Sequence, residues 1–240
     1  MTVSVILPTY NEAKNIVLLI DEIEKHLTEA GIPYELVVVD DNSPDGTAQV
    51  VEERRKSDPH IQLHVRMAEK GLATAIKHGI LHSNGEIIVV MDTDFNHDPK
   101  VLPQMVKFLE YYDIIIGSRF VTGGGMEDQA RYYLSLLYNM LLRVVLRTQV
   151  QDNLSGFFSM RREKLMHMDL DYIFRGYGEW FMRLLYLAWR EAYNMLEVPV
   201  FYVLRRHGQS KSRFFSMLRD YTLAAIHLRW EIRTKRRLKR

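Results

Sequence analysis

The sequence predicts an α/β protein built on a mainly parallel sheet with helices on both faces. Three observations predict it. Through the first half, short runs of β-branched residues alternate with segments of helical period, the pattern of a parallel sheet covered on both sides. Each run stops abruptly at proline, glycine or acidic residues. The strongest run, Ile87-Ile88-Val89-Val90-Met91, is apolar at every position, as a strand buried on both faces must be, and it ends in Asp92-Thr93-Asp94-Phe95-Asn96-His97.

Taken in order, residues 3–7 form a first strand that Pro8 ends. Asn11 is expected to cap a helix whose apolar positions Ile16, Leu19, Ile20, Ile23 and Leu27 follow helical spacing, and Gly31 and Pro33 close it. A second strand, 35–39, runs into Asp40-Asp41-Asn42-Ser43-Pro44-Asp45-Gly46, which is good turn chemistry. A helix at 47–56, a strand at 61–65, a helix at 72–82 and the strand at 87–91 follow. Next come a helix at 101–111 and a short strand at 114–116, before Gly117-Ser118-Arg119. The second half changes character. Gly123-Gly124-Gly125 reads as a flexible hinge, 132–147 as an aromatic-rich helix, 165–170 and 179–190 as helices and 198–203 as a strand. A last helix from about Phe214 carries a basic tail. No internal repeat or low-complexity linker interrupts the chain. The expected division is one domain over 1–213 in two halves, 1–120 and 121–213, to which a family resemblance gives nucleotide-binding and acceptor-binding roles. An amphipathic helix and tail follow over 214–240.

With 240 residues, 47% hydrophobic and 26% charged, the composition is that of a globular protein with a real core. The absence of cysteine excludes disulfides and thiolate metal sites and fits a reducing compartment. Met1-Thr2-Val3 leads straight into a strand pattern without signal-peptide features, and the longest uncharged apolar stretch, 132–142, is far below the ~20 residues a membrane span needs. Net charge is +2, but residues 229–240 alone contribute +6, so the other 228 carry −4. The basic character belongs to the tail, and no nucleic-acid-binding motif accompanies it.

Ligands of open α/β sheets collect beyond the carboxyl ends of the strands. Asp92 and Asp94 lie there, and oxygen ligands so close together suit Mg²⁺ or Mn²⁺ holding substrate phosphates; an acidic turn is the other reading. Pro8-Thr9-Tyr10-Asn11-Glu12 offers a ring to stack on a nucleobase and an acceptor carboxylate, or else a strand exit with a helix cap. Asp40-Asp41 offers acceptors for base N–H or ribose hydroxyls, or else a turn. Three strand ends with clustered carboxylates at one sheet edge exceed what turns require, and a metal bound to a diphosphate would offset their repulsion. The sequence has neither G-x-G-x-x-G after the first strand nor G-x-x-x-x-G-K-[ST] nor H-E-x-x-H, which argues against dinucleotide-binding dehydrogenases, P-loop enzymes and zinc peptidases.

The strings P-T-Y-N-E, V-V-V-D-D-N-S-P-D-G-T, E-K-G-L-A-T-A, M-D-T-D-F-N-H, G-S-R-F-V-T-G-G and D-N-L-S-G-F-F occur in that order. As a set they resemble the family 2 glycosyltransferases of GT-A fold, most closely the dolichol- or polyprenol-phosphate mannosyltransferases, over Val3 to about Ser212. The resemblance implies that Pro8, Tyr10, Glu12 and Asp41 hold the nucleotide of a sugar donor, with Lys70 and Gly71 in the stretch before the next helix. It implies that Asp92 and Asp94 bind Mg²⁺ or Mn²⁺. Asn96 stands where the family's D-A-D-L-Q-H-P-P-E has a glutamine that resembles a third metal ligand. Asp98 adds a carboxylate that this pattern lacks. On the acceptor side, Arg119, Arg131 and Ser135 match positions near a lipid phosphate. Arginine suits that task through its bidentate fork, and a cation at a helix start such as Arg131 points to function. Arg205-Arg206-His207-Gly208-Gln209-Ser210-Lys211 resembles a mobile R-x-x-G-x-S-K loop, which implies Arg205 and Lys211 near the diphosphate.

The implied reaction is attack by a polyprenyl or dolichyl phosphate oxygen on the anomeric carbon of a nucleotide-sugar, with inversion and without a general base. GDP-mannose is the first-choice donor and UDP-glucose the alternative. Glu179 falls where hydroxyl-directed relatives place a base, so a hydroxyl acceptor is the competing reading, and a catalytically silent scaffold serving as a partner subunit is a third. The apolar residues of 132–146 and of the last helix, with the basic tail, suit a membrane surface. The expected setting is cytoplasmic and peripheral on a membrane, with a membrane-anchoring subunit as a further partner.

Overall fold

The computed structural model describes residues 1–203 and 214–238; for 214–217 and 231–238 the backbone alone is described. In chain order the elements are β1 (Val3–Thr9), α1 (Ile16–Glu29), β2 (Tyr34–Asp40), α2 (Thr47–Arg55), β3 (Ile61–Val65), α3 (Leu72–His82) and β4 (Ile87–Val90). A 3-10 turn (Pro99–Val101) leads into α4 (Leu102–Phe108), β5 (Ile114–Ser118), β6 (Gly125–Met126) and α5 (Gln129–Leu146). The rest is β7 (Phe158–Arg161), α6 (Arg162–Met166), α7 (Leu170–Ile173), α8 (Trp180–Arg190), β8 (Met195–Pro199), β9 (Phe201–Tyr202) and α9 (Phe214–Leu238).

Seven strands form one sheet in the order β3-β2-β1-β4-β7-β5-β8, and β6 and β9 pair separately. All neighbours in the large sheet are parallel except β7, which runs antiparallel to both β4 and β5. The unbroken apolar runs follow from burial of both sheet faces. Val5, Leu7, Val38 and Val89 pack with α1 and α4 on one face, whereas Ile6, Val37, Val39, Ile88 and Val90 pack with α3 and α8 on the other. A third cluster joins Leu142 and Leu146 of α5 to Met182 and Tyr186 of α8 and to Ala225 and Leu228 of α9. Strand order reverses between β1 and β4, and that switch point opens a crevice at their carboxyl ends.

Several local expectations are corrected. β1 continues through Pro8 to Thr9, because β4 pairs only as far as Ile6 and the missing proline N–H falls where that ladder has ended. The first helix starts at Ile16, not beside Asn11. Asn11 lies in the left-handed region (φ 59°), which asparagine tolerates, and gives its N–H to Ser43 Oγ at 2.9 Å. Of the glycines at 123–125, expected as a flexible hinge, two are closely packed: a Cβ on Gly124 would meet Ser118 O at 2.6 Å and one on Gly125 the Phe201 ring at 2.8 Å, whereas Gly123 is exposed at φ 92°. β7 was not expected. The helix expected over 101–111 is the 3-10 turn followed by α4. Among the described residues no helix is long and apolar enough to cross a membrane.

Candidate active site

The ends of β1, β2 and β4 frame a cleft of about 430 Å³, within the usual range for small-molecule sites. Its walls bring together Pro8, Tyr10, Glu12, Asp41, Lys70, Gly71, Asp92 and Asp94, all singled out from the sequence, and add Thr93 and Tyr177. The Asp40-Asp41 pair divides by strand alternation. Asp40 is fully buried and builds the turn, accepting from Ser43 N at 2.8 Å and from Thr9 Oγ1 at 3.0 Å. Asp41 faces the cleft and is pinned by Arg66 Nε at 2.7 Å and by Gly71 N at 2.7 Å. Arg66 in turn donates to Thr74 Oγ1 (2.9 Å) and to the Gly71 carbonyl (3.0 Å), tying the end of β3 to the start of α3. Gly71, at φ 148°, takes a conformation that side chains strongly disfavour, which is why glycine opens this helix. Across the cleft, Lys70 Nζ stands 5.0 Å from the centre of the Tyr10 ring, a cation–π distance.

The acidic loop after β4 is bent by Phe95, whose φ of 65° is an outlier for an aromatic residue, with its ring buried. The bend folds Asn96 back on Asp94: Asn96 N donates to Oδ1 at 3.1 Å and Nδ2 to Oδ2 at 2.9 Å. The Asp92 carboxylate is half-exposed and that of Asp94 buried. The two carboxylates, with the amide oxygen of Asn96 if that side chain turned away from Asp94, could offer an all-oxygen donor set, the chemistry that Mg²⁺ or Mn²⁺ selects. Asp98 takes no part: it caps the 3-10 turn through Lys100 N (3.0 Å) and pairs with Lys100 Nζ (2.8 Å).

Behind this loop His97 is fully buried, stacked on Phe157 with ring centres 4.6 Å apart. Its Nδ1 accepts the Asp92 N–H at 2.8 Å, so Nε2 carries the proton and donates to Tyr202 Oη at 2.7 Å. Burial, assisted by the nearby Arg119 charge, drives the imidazole pKa down to about 4 and keeps it neutral. Tyr202 passes its own hydrogen bond to the Ser155 carbonyl at 3.2 Å. The Arg119 guanidinium lies 4.8 Å from the Tyr202 ring centre and gives Nε and Nη2, each at 2.7 Å, to Asp152. Burial opposes that charge, and Asp152 beside it more than compensates, so Arg119 stays protonated. Asp152 is set in place by Glu197, which accepts the backbone N–H of Gln151 (2.8 Å) and of Asp152 (2.9 Å).

The model of the family described as Glycosyl transferase family 2 matches residues 4–168. The chain belongs to glycosyl transferase family 2. A dolichol-phosphate mannosyltransferase of Pyrococcus furiosus is 36% identical over 242 residues, covering 96% of this chain; the chain spans 65% of that relative's length. An undecaprenyl-phosphate mannosyltransferase of Micrococcus luteus is 32% identical over 217 residues, 88% of this chain and 87% of the relative. Among solved structures, glucosyl-3-phosphoglycerate synthase of Mycobacterium tuberculosis in complex with Mn²⁺, UDP and glucosyl-3-phosphoglycerate superposes with a TM-score of 0.69 at 21% identity. That match covers 94% of this chain and 78% of the other. The same enzyme with Mg²⁺ and UDP gives 0.68 at 22% identity, with the same coverage. These likenesses show the fold, which is GT-A.

Within this family 2 chain the acceptor-side residues lie apart from the cleft lining. Arg119, expected to offer its fork to a phosphate, instead spends Nε and Nη2 on Asp152 in the interior. Arg131 is exposed in the first turn of α5, where Asp128 caps the helix by accepting its backbone N–H at 3.0 Å. The acidic cap offsets the dipole penalty on that cation. Ser135 is half-buried one turn on, and its carbonyl accepts from Asn139 Nδ2 at 2.9 Å. Glu179 starts α8, with Oε1 accepting from Arg183 Nη2 at 3.1 Å and Oε2 from Tyr177 N at 3.0 Å. Arg205, Arg206 and Lys211 lie outside the described residues. Sequence reasoning gave no site role to Arg66, Tyr177, His97 and Tyr202, and marked Asp152 only as the start of the D-N-L-S-G-F-F string. Arg66 carried a usable signal, since it follows a strand end like Asp41 and Asp92 do; the others become neighbours only through the sheet.

Proposed function

We propose that this family 2 glycosyltransferase moves a hexose, mannose from GDP-mannose, onto a dolichyl or polyprenyl phosphate. The observation that carries the reading is the cleft at the β1/β4 switch point, where a stacking tyrosine, a pinned carboxylate and the Asp92/Asp94 pair converge. The names of the two mannosyltransferase relatives support the sugar and the acceptor class.

Tyr10 supplies the face on which the base stacks, with Lys70 over it adding positive charge beside the phosphates. Asp41, held by Arg66 and Gly71, accepts from the base or ribose. Asp92 and Asp94, with the Asn96 oxygen, would hold Mg²⁺ or Mn²⁺, which supplies charge to the departing diphosphate. A phosphate acceptor is already ionised near neutral pH, so its oxygen attacks the anomeric carbon directly. The bond from that carbon to the diphosphate oxygen breaks, its electron pair leaves with the nucleoside diphosphate, and the configuration inverts. The Glu179 carboxylate is engaged by Arg183 and by the Tyr177 amide, which supports an ionised acceptor over one that needs a base. Arg131 and Ser135, one turn apart on α5, are the acceptor-phosphate residues in this reading, and Arg205 and Lys211 the diphosphate ones. An exposed apolar stripe on α5 (Tyr133, Leu134, Leu137, Met140, Leu141 and Val144) suits the surface of the membrane that carries such an acceptor.

A donor screen tests the reading: GDP-mannose, UDP-glucose and other nucleotide-sugars with polyprenyl phosphate, with and without Mn²⁺ or Mg²⁺. Transfer of mannose from GDP-mannose is expected. Transfer from UDP-glucose alone would replace the donor, and absence of transfer from every donor would overturn the assignment.

A further inference from the structure

Well away from the acidic loop, three histidines converge on the outer side of the β3–α3 unit. His64 lies on β3 and pairs in register with Val39 of β2; His78 and His82 lie one turn apart on α3. One nitrogen from each ring lies within 4.8 Å of the other two. His78 Nε2 and His64 Nδ1 are 3.4 Å apart, and the rings of His78 and His82 stack at 4.0 Å. The His78–His64 contact is a hydrogen bond between the two rings. Its length matches the roughly 3.4 Å between two nitrogens bound tetrahedrally to one ion at about 2.0–2.1 Å, so an ion would take the place of the shared proton.

The third ligand is oriented as well. His82 donates its Nδ1–H to the His78 carbonyl at 2.8 Å, which presents Nε2 as its ligating nitrogen. A ring N–H fixed by a carbonyl is the usual outer support of a metal-bound imidazole. Burial, and then the neighbouring His82, lower the pKa of His64 and of His78, so both rings favour the neutral, ligating form. The cluster contains no carboxylate or thiolate.

We propose that His64, His78 and His82 form a second metal site, taking one divalent transition-metal ion of the imidazole-binding class, with Zn²⁺ as the reference ion and a water in the fourth position. Its chemistry separates it from the all-oxygen Asp92/Asp94 set: imidazole selects Zn²⁺, Cu²⁺ or Ni²⁺, and carboxylate oxygen selects Mg²⁺ or Mn²⁺. The ion bolts β3 to α3. Two residues past His64, Arg66 holds Asp41, and the same helix begins with Gly71 and Leu72 of the cleft wall. The site is therefore a structural clamp behind the donor cleft, independent of which sugar is transferred.

The test is calorimetric titration of Zn²⁺ into the full chain, stripped with EDTA and held in excess Mg²⁺ so that the acidic site is filled. One equivalent is expected, with affinity at least tenfold weaker in His82→Gln, whose side chain is exposed and expendable for folding, and in His64→Gln. Co²⁺ in place of Zn²⁺ should give the visible bands of a low-coordinate nitrogen site in the wild type and lose them in His82→Gln. Asp94→Asn should leave Zn²⁺ stoichiometry unchanged under these conditions. Absence of Zn²⁺ binding, or binding that His82→Gln and His64→Gln leave intact, would overturn the proposal.

Discussion

Removing the carboxylate of Asp152 should be among the most costly single changes in this protein. Asp152 is fully buried and Arg119 nearly so, and three hydrogen bonds join them: Nε and Nη2 at 2.7 Å each, and the Arg119 backbone N–H at 3.1 Å. Asp152→Ala leaves a guanidinium inside the protein against the Tyr202 and Phe120 rings with its counter-charge gone. Breaking a buried pair in this way costs about 3–5 kcal/mol, or roughly two to four decades in the folding constant. Equilibrium urea unfolding, followed by tryptophan fluorescence, reads the loss. The paired change Arg119→Met with Asp152→Asn removes both charges, keeps an acceptor for the Arg119 backbone N–H, and should recover most of it, because no uncompensated ion remains. A single variant within about 1 kcal/mol of wild type, the range of a surface pair, would refute the reasoning. The double variant also tests function: normal stability without sugar transfer would mean that the Arg119 charge serves the reaction as well as the fold.

Other changes have expected outcomes of their own. Asp94→Asn keeps the side-chain shape and removes the charge; the sugar transfer proposed above should fall at least ~100-fold, the scale seen when one electrostatic group of a site is removed. Tyr202→Phe takes the acceptor from His97 Nε2 and should lower stability by about 1–3 kcal/mol, the cost of a buried unsatisfied donor. Because His97 holds the Asp92 amide, the same variant should weaken Mn²⁺ binding ~10-fold or more, measurable by paramagnetic titration. Leu137→Glu with Val144→Glu, both on the exposed stripe of α5, should reduce co-sedimentation with anionic liposomes and leave thermal stability unchanged. The His64/His78/His82 cluster predicts a pH effect. Folded pKa values below the unfolded ~6.5 mean that the unfolded chain takes up protons first, so stability falls as pH drops through that value. Arg66 and Glu69 on the adjoining segment are the charged groups acting on His78, and His64→Gln should flatten the slope in urea titrations between pH 7 and 5.

The donor half of the site could be read from sequence because it sits on strand ends. An apolar run that stops at a carboxylate announces both the strand and the direction of its exit. Each of Asp41, Asp92 and Asp94 alone could have been a turn; it was the recurrence of carboxylates at three strand ends that singled them out, and the three line one cleft. Alternation alone should have separated buried Asp40 from Asp41. The network behind the acidic loop was not legible: His97, Tyr202, Ser155 and Asp152 lie as far as 105 residues apart in the chain and meet only across the sheet. β7 was hidden for a related reason. Phe158-Ser159-Met160-Arg161 is too short for periodicity, and its strand character comes from pairing on both sides rather than from its own residues. In the glycine triplet, composition suggested freedom where, at Gly124 and Gly125, close packing requires the absence of a Cβ.

The antiparallel insertion of β7 makes the chain before residue 120 inseparable, as a fragment, from the chain after it. β4, the strand that carries the acidic loop, owes one of its two ladders to a segment about seventy residues downstream. A piece ending near residue 120 would keep Ile87–Val90 as a bare, uncharged apolar edge, the kind of template on which chains pair with one another. Expression of residues 1–120 alone should therefore give aggregates. Circular permutation opened at an exposed loop keeps β7 in place and should give a soluble protein.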